Sequence, residues 1–490
     1  MALRRPRMKV GRASAASRLA AVLCALAAAA CESEPAPAGA SAPDVVLIVI
    51  DTLRADHLGV YGYARDTSPH IDALASRGVV FTRASSPSSW TRPAVASLLT
   101  SRLPSEHGAV SAEHRLDSRI ATLAEVFHNA GYRTLGVCAN FAHITERAGF
   151  ARGFDDWTSL KVPVAEGQGD PIWAESTADG KRQPLRAPTA AEVNRALLPR
   201  IPAPDGRPVF LYVHYMDPHS GYLPAAPYRE RFLRDAAFDR TQPPATSDYV
   251  RELAAGRISV GERSRERLID LYDGEIAAVD AAVGELVTAL AERGYEGRSV
   301  YALVSDHGEE FEEHGGWFHG LTLYGESLQV PFVLWDSRAA PVGATVDAPV
   351  DLIDVPTTLL ALAGLEPAAH MRGRRLAADG AAPTARPLLA ELHRDPLIEG
   401  GVRERSHRWA YTRWPWKVIT HRRRDVEFFR LDRDPMERES IRPGDAGVPA
   451  DLFAEGRALV SRIVVPRREE LRQQLDPEER EALQALGYAR

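Results

Sequence analysis

Five short stretches are predominantly apolar: Asp44–Ile50 (DVVLIVI), Arg133–Asn140 (RTLGVCAN), Pro208–Tyr215 (PVFLYVHY), Ser299–Ser305 (SVYALVS) and Val330–Trp335 (VPFVLW). They do not alternate between polar and apolar, and Val, Leu and aromatic residues dominate them. That pattern predicts strands buried on both faces of a mostly parallel sheet. Helical periodicity falls between them. Ile71–Arg77 and Ile120–Ala130 each precede a strand. Arg265–Arg293 sets Leu268, Leu271, Ile276, Val279, Val283 and Leu286 near one stripe. The αβαβ rhythm predicts an α/β fold, a mostly parallel central sheet flanked by helices on both sides. Ligands in such folds bind beyond the carboxyl ends of the strands, which is where Asp51, His214 and Asp306 stand.

After about residue 385 the pattern changes. Trp409–Thr420 and Val426–Leu431 alternate, which predicts an antiparallel sheet with one covered face. A charged amphipathic helix is predicted from about Pro466 to Leu486. The chain therefore divides into a main domain, 44–384, and a smaller C-terminal antiparallel-sheet subdomain, 385–490. The polar, proline-bearing segments Gly167–Pro188 and Thr241–Thr246 are read as loops that could rim a site.

The first 30 residues carry six basic side chains and no acidic one, and Leu19–Ala30 (LAAVLCALAAAA) is an apolar run too short to span a bilayer comfortably. Small residues then lead to Cys31. Residues 1–31 read as an export signal of the lipoprotein type, with Cys31 lipidated after cleavage. An ordinary cleaved signal and a frayed alanine-rich cytoplasmic start are the other readings. Residues 32–43 (ESEPAPAGASAP) read as a flexible tether. The expected location is the periplasm or the outer membrane, with the membrane reached only through the N-terminal lipid.

Overall the 490 residues hold 60 basic and 66 acidic side chains, for a net charge of −6. The mature part is more acidic still, which argues against a nucleic-acid partner. Three cysteines, Cys24, Cys31 and Cys138, supply neither a disulfide framework nor a cysteine zinc site.

Four segments carry chemistry. Asp306-His307 offers a carboxylate and an imidazole to one divalent ion, with His314, His319 and several glycines close behind. Asp51 ends the most apolar strand. In Trp90-Thr91-Arg92-Pro93 the proline suits a first helical turn and Thr91 stands near the N-cap, where helix amides favour an anion. A metal-bound hydroxyl there would lose its proton more readily and become a nucleophile. His214 and His219 flank a turn and could hold substrate oxygens or protonate a leaving group. Taken one at a time, a capping threonine and a satisfied histidine are equally open readings.

Together the segments resemble the sulfatase family of the alkaline phosphatase superfamily. The likeness runs in order through VVLIVIDTLRADHLGVYGY, SPHIDALASRGVVFTRA, WTRPAVASLLTSRLPSEHG, GYRT, FLYVHYMDPHSGYLPAAPY, YDGEIAAVD, SDHGEEFEEHGGWFHGLTLYGESLQVPFVLW, DLIDVPTTLLALAGL, FFRLDRDPMERESI and LQALGY. The resemblance implies an alkaline phosphatase-like sandwich over 44–384 with a small C-terminal sheet. It implies Asp51, Thr91, Asp306 and His307 as metal ligands, Thr91 as nucleophile, and His219, His319 and His214 as substrate or leaving-group residues.

The chain departs from the family pattern in several places. The usual nucleophile is a cysteine or serine converted to formylglycine, and Thr91 cannot be converted that way. Val95 stands where an arginine is usual, Thr52 where a second aspartate is, and His319 where a late lysine is. Cys138–His143 replaces a segment that carries a lysine and a histidine. The set instead looks like threonine-type relatives that cleave phosphoryl and phosphonyl esters.

The expected cofactor is one divalent ion. A mixed nitrogen–oxygen donor set suits zinc or manganese better than calcium, the ion the family name suggests. The expected activity is hydrolysis of a sulfate or a phosphate/phosphonate ester on a small molecule or glycan. A phospho-substituent transferase acting on envelope glycans or lipids, and a catalytically silent anionic-glycan binder, are the alternatives. Oligomeric state is not encoded in any of these features.

Overall fold

The computed structural model describes residues 42–165, 170, 173–176, 182–393, 407–421, 425–442, 444–445, 447–463 and 468–472. The export signal, Cys24, Cys31, most of the tether and nearly all of the helix expected at 466–486 lie outside the described residues. Only Arg468–Leu471 is seen there, as a short helical turn.

Eight strands form the central sheet: β1 (Asp44–Ile50), β2 (Val79–Phe81), β3 (Arg133–Cys138), β4 (Asp156–Ser159), β5 (Val209–Tyr215), β6 (Ser299–Ser305), β7 (Phe332–Asp336) and β8 (Ala344–Val346). Their order is β8-β2-β7-β6-β1-β5-β3-β4. All neighbours are parallel except that β7 runs against both β6 and β2. The expected mostly parallel sheet is present, and five of its eight strands, β1, β3, β5, β6 and β7, fall where the apolar runs place them, whereas the short β2, β4 and β8 do not.

The continuous apolar runs have a direct cause. In β1, Val46, Ile48 and Ile50 face one core, and Val45, Leu47 and Val49 face the other. The first core is closed by α1 (Pro69–Ala75), α5 (Ala190–Leu197) and the 31-residue α6 (Glu262–Glu292). The second is closed by α2 (Thr91–Thr100), α4 (Leu123–Asn129) and α7 (Asp354–Leu362). A strand covered on both faces has no solvent side on which to place polar residues. Between α2 and α4 lies the single turn α3 (Pro104–His107). Among the described residues no helix is long and apolar enough to cross a membrane.

A second, antiparallel sheet follows, β9 (Leu388–His393), β10 (His407–Arg413), β11 (Trp416–Thr420) and β12 (Val426–Arg430), in that spatial order. It departs from the expectation of one covered face. Ala390, Leu392, Ala410, Ile419 and Phe429 meet Trp90, Leu323, Tyr324 and Leu328, so this face packs on the main body. Trp409, Tyr411, Val418 and Phe428 form the other face and pack with Leu452 of α8 (Leu452–Arg462). Polar residues within these strands are buried as well: Lys417 pairs with Glu437 at 2.7 Å, and Glu391 is fully buried. The segment read as the loop Gly167–Pro188 also differs: Trp173–Ser176 and Arg182–Arg186 pair as antiparallel strands.

One buried acid gives the fold a pH signature. Asp351 is buried beside Asp354, and burial pushes its carboxyl up to about 7, against the pull of Arg386. The unfolded chain releases this proton near 3.8 and the folded chain near 7. Its contribution is therefore complete below the unfolded value and falls by about 1.4 kcal/mol per pH unit between the two. Asparagine can still accept the Ile353 amide that Asp351 Oδ1 accepts at 3.1 Å. Asp351→Asn is expected to raise Tm relative to wild type at pH 8 and leave it unchanged near pH 4. Parallel Tm–pH curves for the two proteins would refute this.

Candidate active site

The parallel strands β1, β3, β5 and β6 end at one edge, and their register fixes what meets there. Ile50 lies beside both Ser305 and Tyr215, and His214 lies beside Val49 and Cys138. The next residues out are therefore Asp51, Asp306-His307 and, after β3, Asn140. All five polar side chains, His214 included, are almost completely buried. One donor atom from each of Asp51, Asp306 and His307 lies within 4.8 Å of the others.

His307 is oriented from behind. Its Nδ1 is 2.9 Å from the carbonyl of Gly308, which can only accept, so Nδ1 carries the hydrogen. Nε2 then presents its lone pair to the cluster. It is 3.4 Å from Asp306 Oδ2, 3.7 Å from Asp51 Oδ1 and 3.3 Å from Thr91 Oγ1. Gly308 has no room for a side chain, because a Cβ would strike the backbone carbonyl of Glu326. Thr91 is the first residue of α2, next to Trp90 in the cap position, as its reading near the N-cap predicts. Its hydroxyl thus sits where the helix dipole and the first unpaired amides favour negative charge.

The electrostatics call for a cation. Burial alone would raise Asp51, but the His214 hydrogen bond and the imidazoles of His219, His214 and His307 hold it well below the ordinary carboxylate range. Burial, and then the charge of Asp51, push Asp306 well above that range. Asp51 Oδ1 and Asp306 Oδ2 are buried with no hydrogen-bond partner. These are the same two oxygens that face His307 Nε2. Orphaned carboxylate oxygens beside an imidazole lone pair fit a divalent ion bound by Asp51, Asp306 and His307, with Thr91 alongside.

The remaining oxygens are tied down. Asn140 Nδ2 donates to Asp51 Oδ2 at 2.8 Å, and His214 Nε2 lies 3.2 Å from the same oxygen. His214 Nδ1 meets the Tyr212 hydroxyl at 2.9 Å. Both nitrogens of His214 are thereby engaged, so the ring stands behind Asp51 and not toward open space. A row of imidazole rings lies beyond it. His307 and His319 have centroids 4.4 Å apart, and His319 and His219 4.9 Å. Burial lowers the pKa of all three. His219 Nδ1 is 2.7 Å from the Ser220 carbonyl, which leaves the Nε2 lone pair of the neutral ring free to take a proton. His319 Nδ1 is held 3.0 Å from Glu309. The loop carrying His319 is pinned close to Thr91 in the chain, since Gly320 N–H donates to the carbonyl of Ser89 at 2.7 Å.

Asn140, Tyr212 and Glu309 escape the sequence reading. Asn140 lies in a segment singled out only for what it lacks. Arg92 does not replace the missing arginine at Val95: its guanidinium is turned to the carbonyls of Ala112, His114, Ala142 and His143. His314 leaves the cluster altogether and stacks on Tyr324, at 3.7 Å between centroids.

The model of the family described as Sulfatase matches residues 43–365. The chain belongs to the sulfatase family. It is 25% identical over 445 residues to an arylsulfatase of Clostridium perfringens, covering 81% of this sulfatase-family chain and 89% of that one. It is 24% identical over 394 residues to a multifunctional alkaline phosphatase superfamily protein of Trinickia caryophylli, covering 68% and 76%. Among solved structures, a phosphonate monoester hydrolase from Silicibacter pomeroyi superposes with a TM-score of 0.68 at 22% identity, covering 86% and 96%. That last likeness speaks for the fold. With this membership, the sulfatase-family chain is a hydrolase of sulfuric or phosphoric esters.

Proposed function

We propose that this sulfatase-family enzyme uses Thr91 as its nucleophile, depends on one divalent ion held by Asp51, Asp306 and His307, and acts on phosphate or phosphonate esters. The observation that carries the reading is the position of Thr91 Oγ1, at a helix N-terminus and 3.3 Å from His307 Nε2. Bound there, the ion would supply Lewis acidity, lowering the pKa of the hydroxyl and offsetting charge on the transferring group. Zinc or manganese suits the two carboxylates and one imidazole.

The chain's own groups do the rest. The hydroxyl of Thr91 attacks the phosphorus in line, and a covalent phospho-threonine forms. The α2 amides and dipole stabilise the developing negative charge. His319 stands beside His307, and His219 beside His319; in this row a neutral imidazole takes up a proton and its conjugate acid returns one to the departing oxygen. Water then resolves the ester. Once esterified, Thr91 has no second hydroxyl on its Cβ, so it cannot release sulfate by the formylglycine hydrate route. That difference favours phosphorus over sulfur. Export, with Cys31 as the anchoring residue, belongs to the same reading and rests on the sequence of residues 1–43.

The test is turnover by metal-loaded protein on aryl sulfates, phosphate mono- and diesters and phosphonate monoesters, with and without an alcohol acceptor. Phosphonate or phosphate esters are expected to turn over fastest, and chelation should abolish the activity until zinc or manganese is returned. Preference for aryl sulfates would overturn the substrate assignment. Product formed only with the acceptor present would make the protein a transferase.

A further inference from the structure

The C-terminal sheet carries a second cluster of metal-type donors. Glu391 and His393 are alternate residues at the end of β9, and His407 opens β10. The antiparallel register sets His393 directly opposite His407, so the three side chains share one face. The two imidazoles stack with centroids 4.1 Å apart and planes 14° apart. Glu391 Oε1 is 2.8 Å from His407 Nε2 and 3.7 Å from His393 Nε2. One donor atom from each residue lies within 4.8 Å of the others. A tetrahedral ion with ligands at about 2.0–2.1 Å sets its donors roughly 3.3–3.4 Å apart. The two carboxylate–imidazole separations straddle that value, and one ring of the near-parallel pair turns for both lone pairs to meet at the ion.

The carboxylate is aimed by the first turn of α3. Ser105 donates its N–H to Glu391 Oε2 at 2.9 Å and its hydroxyl to Oε1 at 2.6 Å. The same hydroxyl oxygen is 3.0 Å from His393 Nε2. Glu391 is fully buried and His393 nearly so, whereas the His407 side chain is 30% exposed and gives an ion a way in from solvent.

We propose that Glu391, His393 and His407 bind one divalent ion of the zinc type, at a site separate from the Asp51–Asp306–His307 cluster. Two imidazoles and one carboxylate leave a fourth position for water, and two nitrogen donors disfavour magnesium or calcium. The ion would tie the β9–β10 pair to α3, the turn that follows the helix carrying Thr91. A third group of similar composition, Glu310, His314 and Glu326, makes an instructive contrast. There His314 Nε2 donates to the Glu437 carbonyl at 2.9 Å and Nδ1 is paired with Glu326 at 2.7 Å. Against the effect of burial, Glu326 pushes that ring up to about 9, and a backbone carbonyl holds its second nitrogen. His393 and His407 instead present Nε2 to the Ser105 hydroxyl and to Glu391, contacts whose N–H protons an incoming ion displaces. The site on the C-terminal sheet stands independently of any role for Thr91.

The test is zinc loading of the full chain in an Asp306→Asn background, read as metal retained after desalting and as a shift in Tm. About one equivalent of zinc should be retained with a rise in Tm. Both should be lost on adding His407→Ala or His393→Ala. Cobalt in place of zinc should give the intense visible bands of a four-coordinate site, and His407→Ala should remove them. Because His407 is partly exposed, His407→Ala and His407→Gln should fold, which circular dichroism would check. Unchanged retention in Asp306→Asn/His407→Ala, or no retention in Asp306→Asn alone, would overturn the proposal.

Discussion

Thr91→Ala is expected to lower kcat/KM on the best substrate by about 10⁴-fold or more, on the order of 5 kcal/mol of transition-state stabilisation. The substitution removes one hydroxyl and one methyl from a buried helix start and leaves the α2 backbone in place, so folding should survive. Thr91→Ser keeps the oxygen 3.3 Å from His307 Nε2 and is expected to stay within about tenfold of wild type, since only methyl packing is lost. The pair of variants separates chemistry from packing. Full turnover by Thr91→Ala, measured on protein of equal metal content, would remove Thr91 from the reaction. A substrate-derived phosphate trapped on Thr91 by rapid acid quench would identify the covalent step.

The second large effect concerns Asp306. Its carboxyl is pushed well above the ordinary range by burial and by the charge of Asp51, while Asp51 itself is held low. Asp306→Asn should weaken metal binding by more than about 100-fold, because even groups one step removed from an ion cost 10–100-fold. Activity should fall in parallel. Stability should move the opposite way once the ion is stripped. A folded-state pKa raised above the unfolded one means that stability present at low pH is lost as pH rises. Chelated wild type should therefore lose more Tm as pH rises than chelated Asp306→Asn, which keeps the slope due to Asp351. At pH 8 the inactive variant is expected to be the more stable of the two. Equal melting curves for the chelated proteins would show that no ion is needed to balance these carboxylates.

The legibility of the sequence divides along physical lines. β1, β5 and β6 were readable because burial on both faces leaves no alternative composition. The 31-residue α6 was readable because one stripe repeats over many turns. The direction of β7 was not, since an apolar strand looks the same whichever way it runs. Asp51, Asp306 and His307 announced themselves by standing just past strand ends. Asn140 did not, because an asparagine after a short strand is ordinary until β3 is placed two strands from β1. Glu309 was hidden for a similar reason: its tie to His319 depends on how a glycine-rich loop doubles back. The C-terminal sheet was misjudged on one face. Alternation reports that two faces differ in what they touch, and here both touch apolar neighbours.

The pairing of Ile50 with Ser305 has a further consequence. Asp51 and Asp306 each follow directly from a central strand, so their spacing is settled when the core forms. Side chains alternate along a strand, and a slip of one place would send every inward residue outward. Hydrophobic packing thus protects the geometry of two mutually repelling charges. Surface loops around the mouth are released from that duty, and selection can remodel them for new esters without retuning the spacing of the two carboxylates.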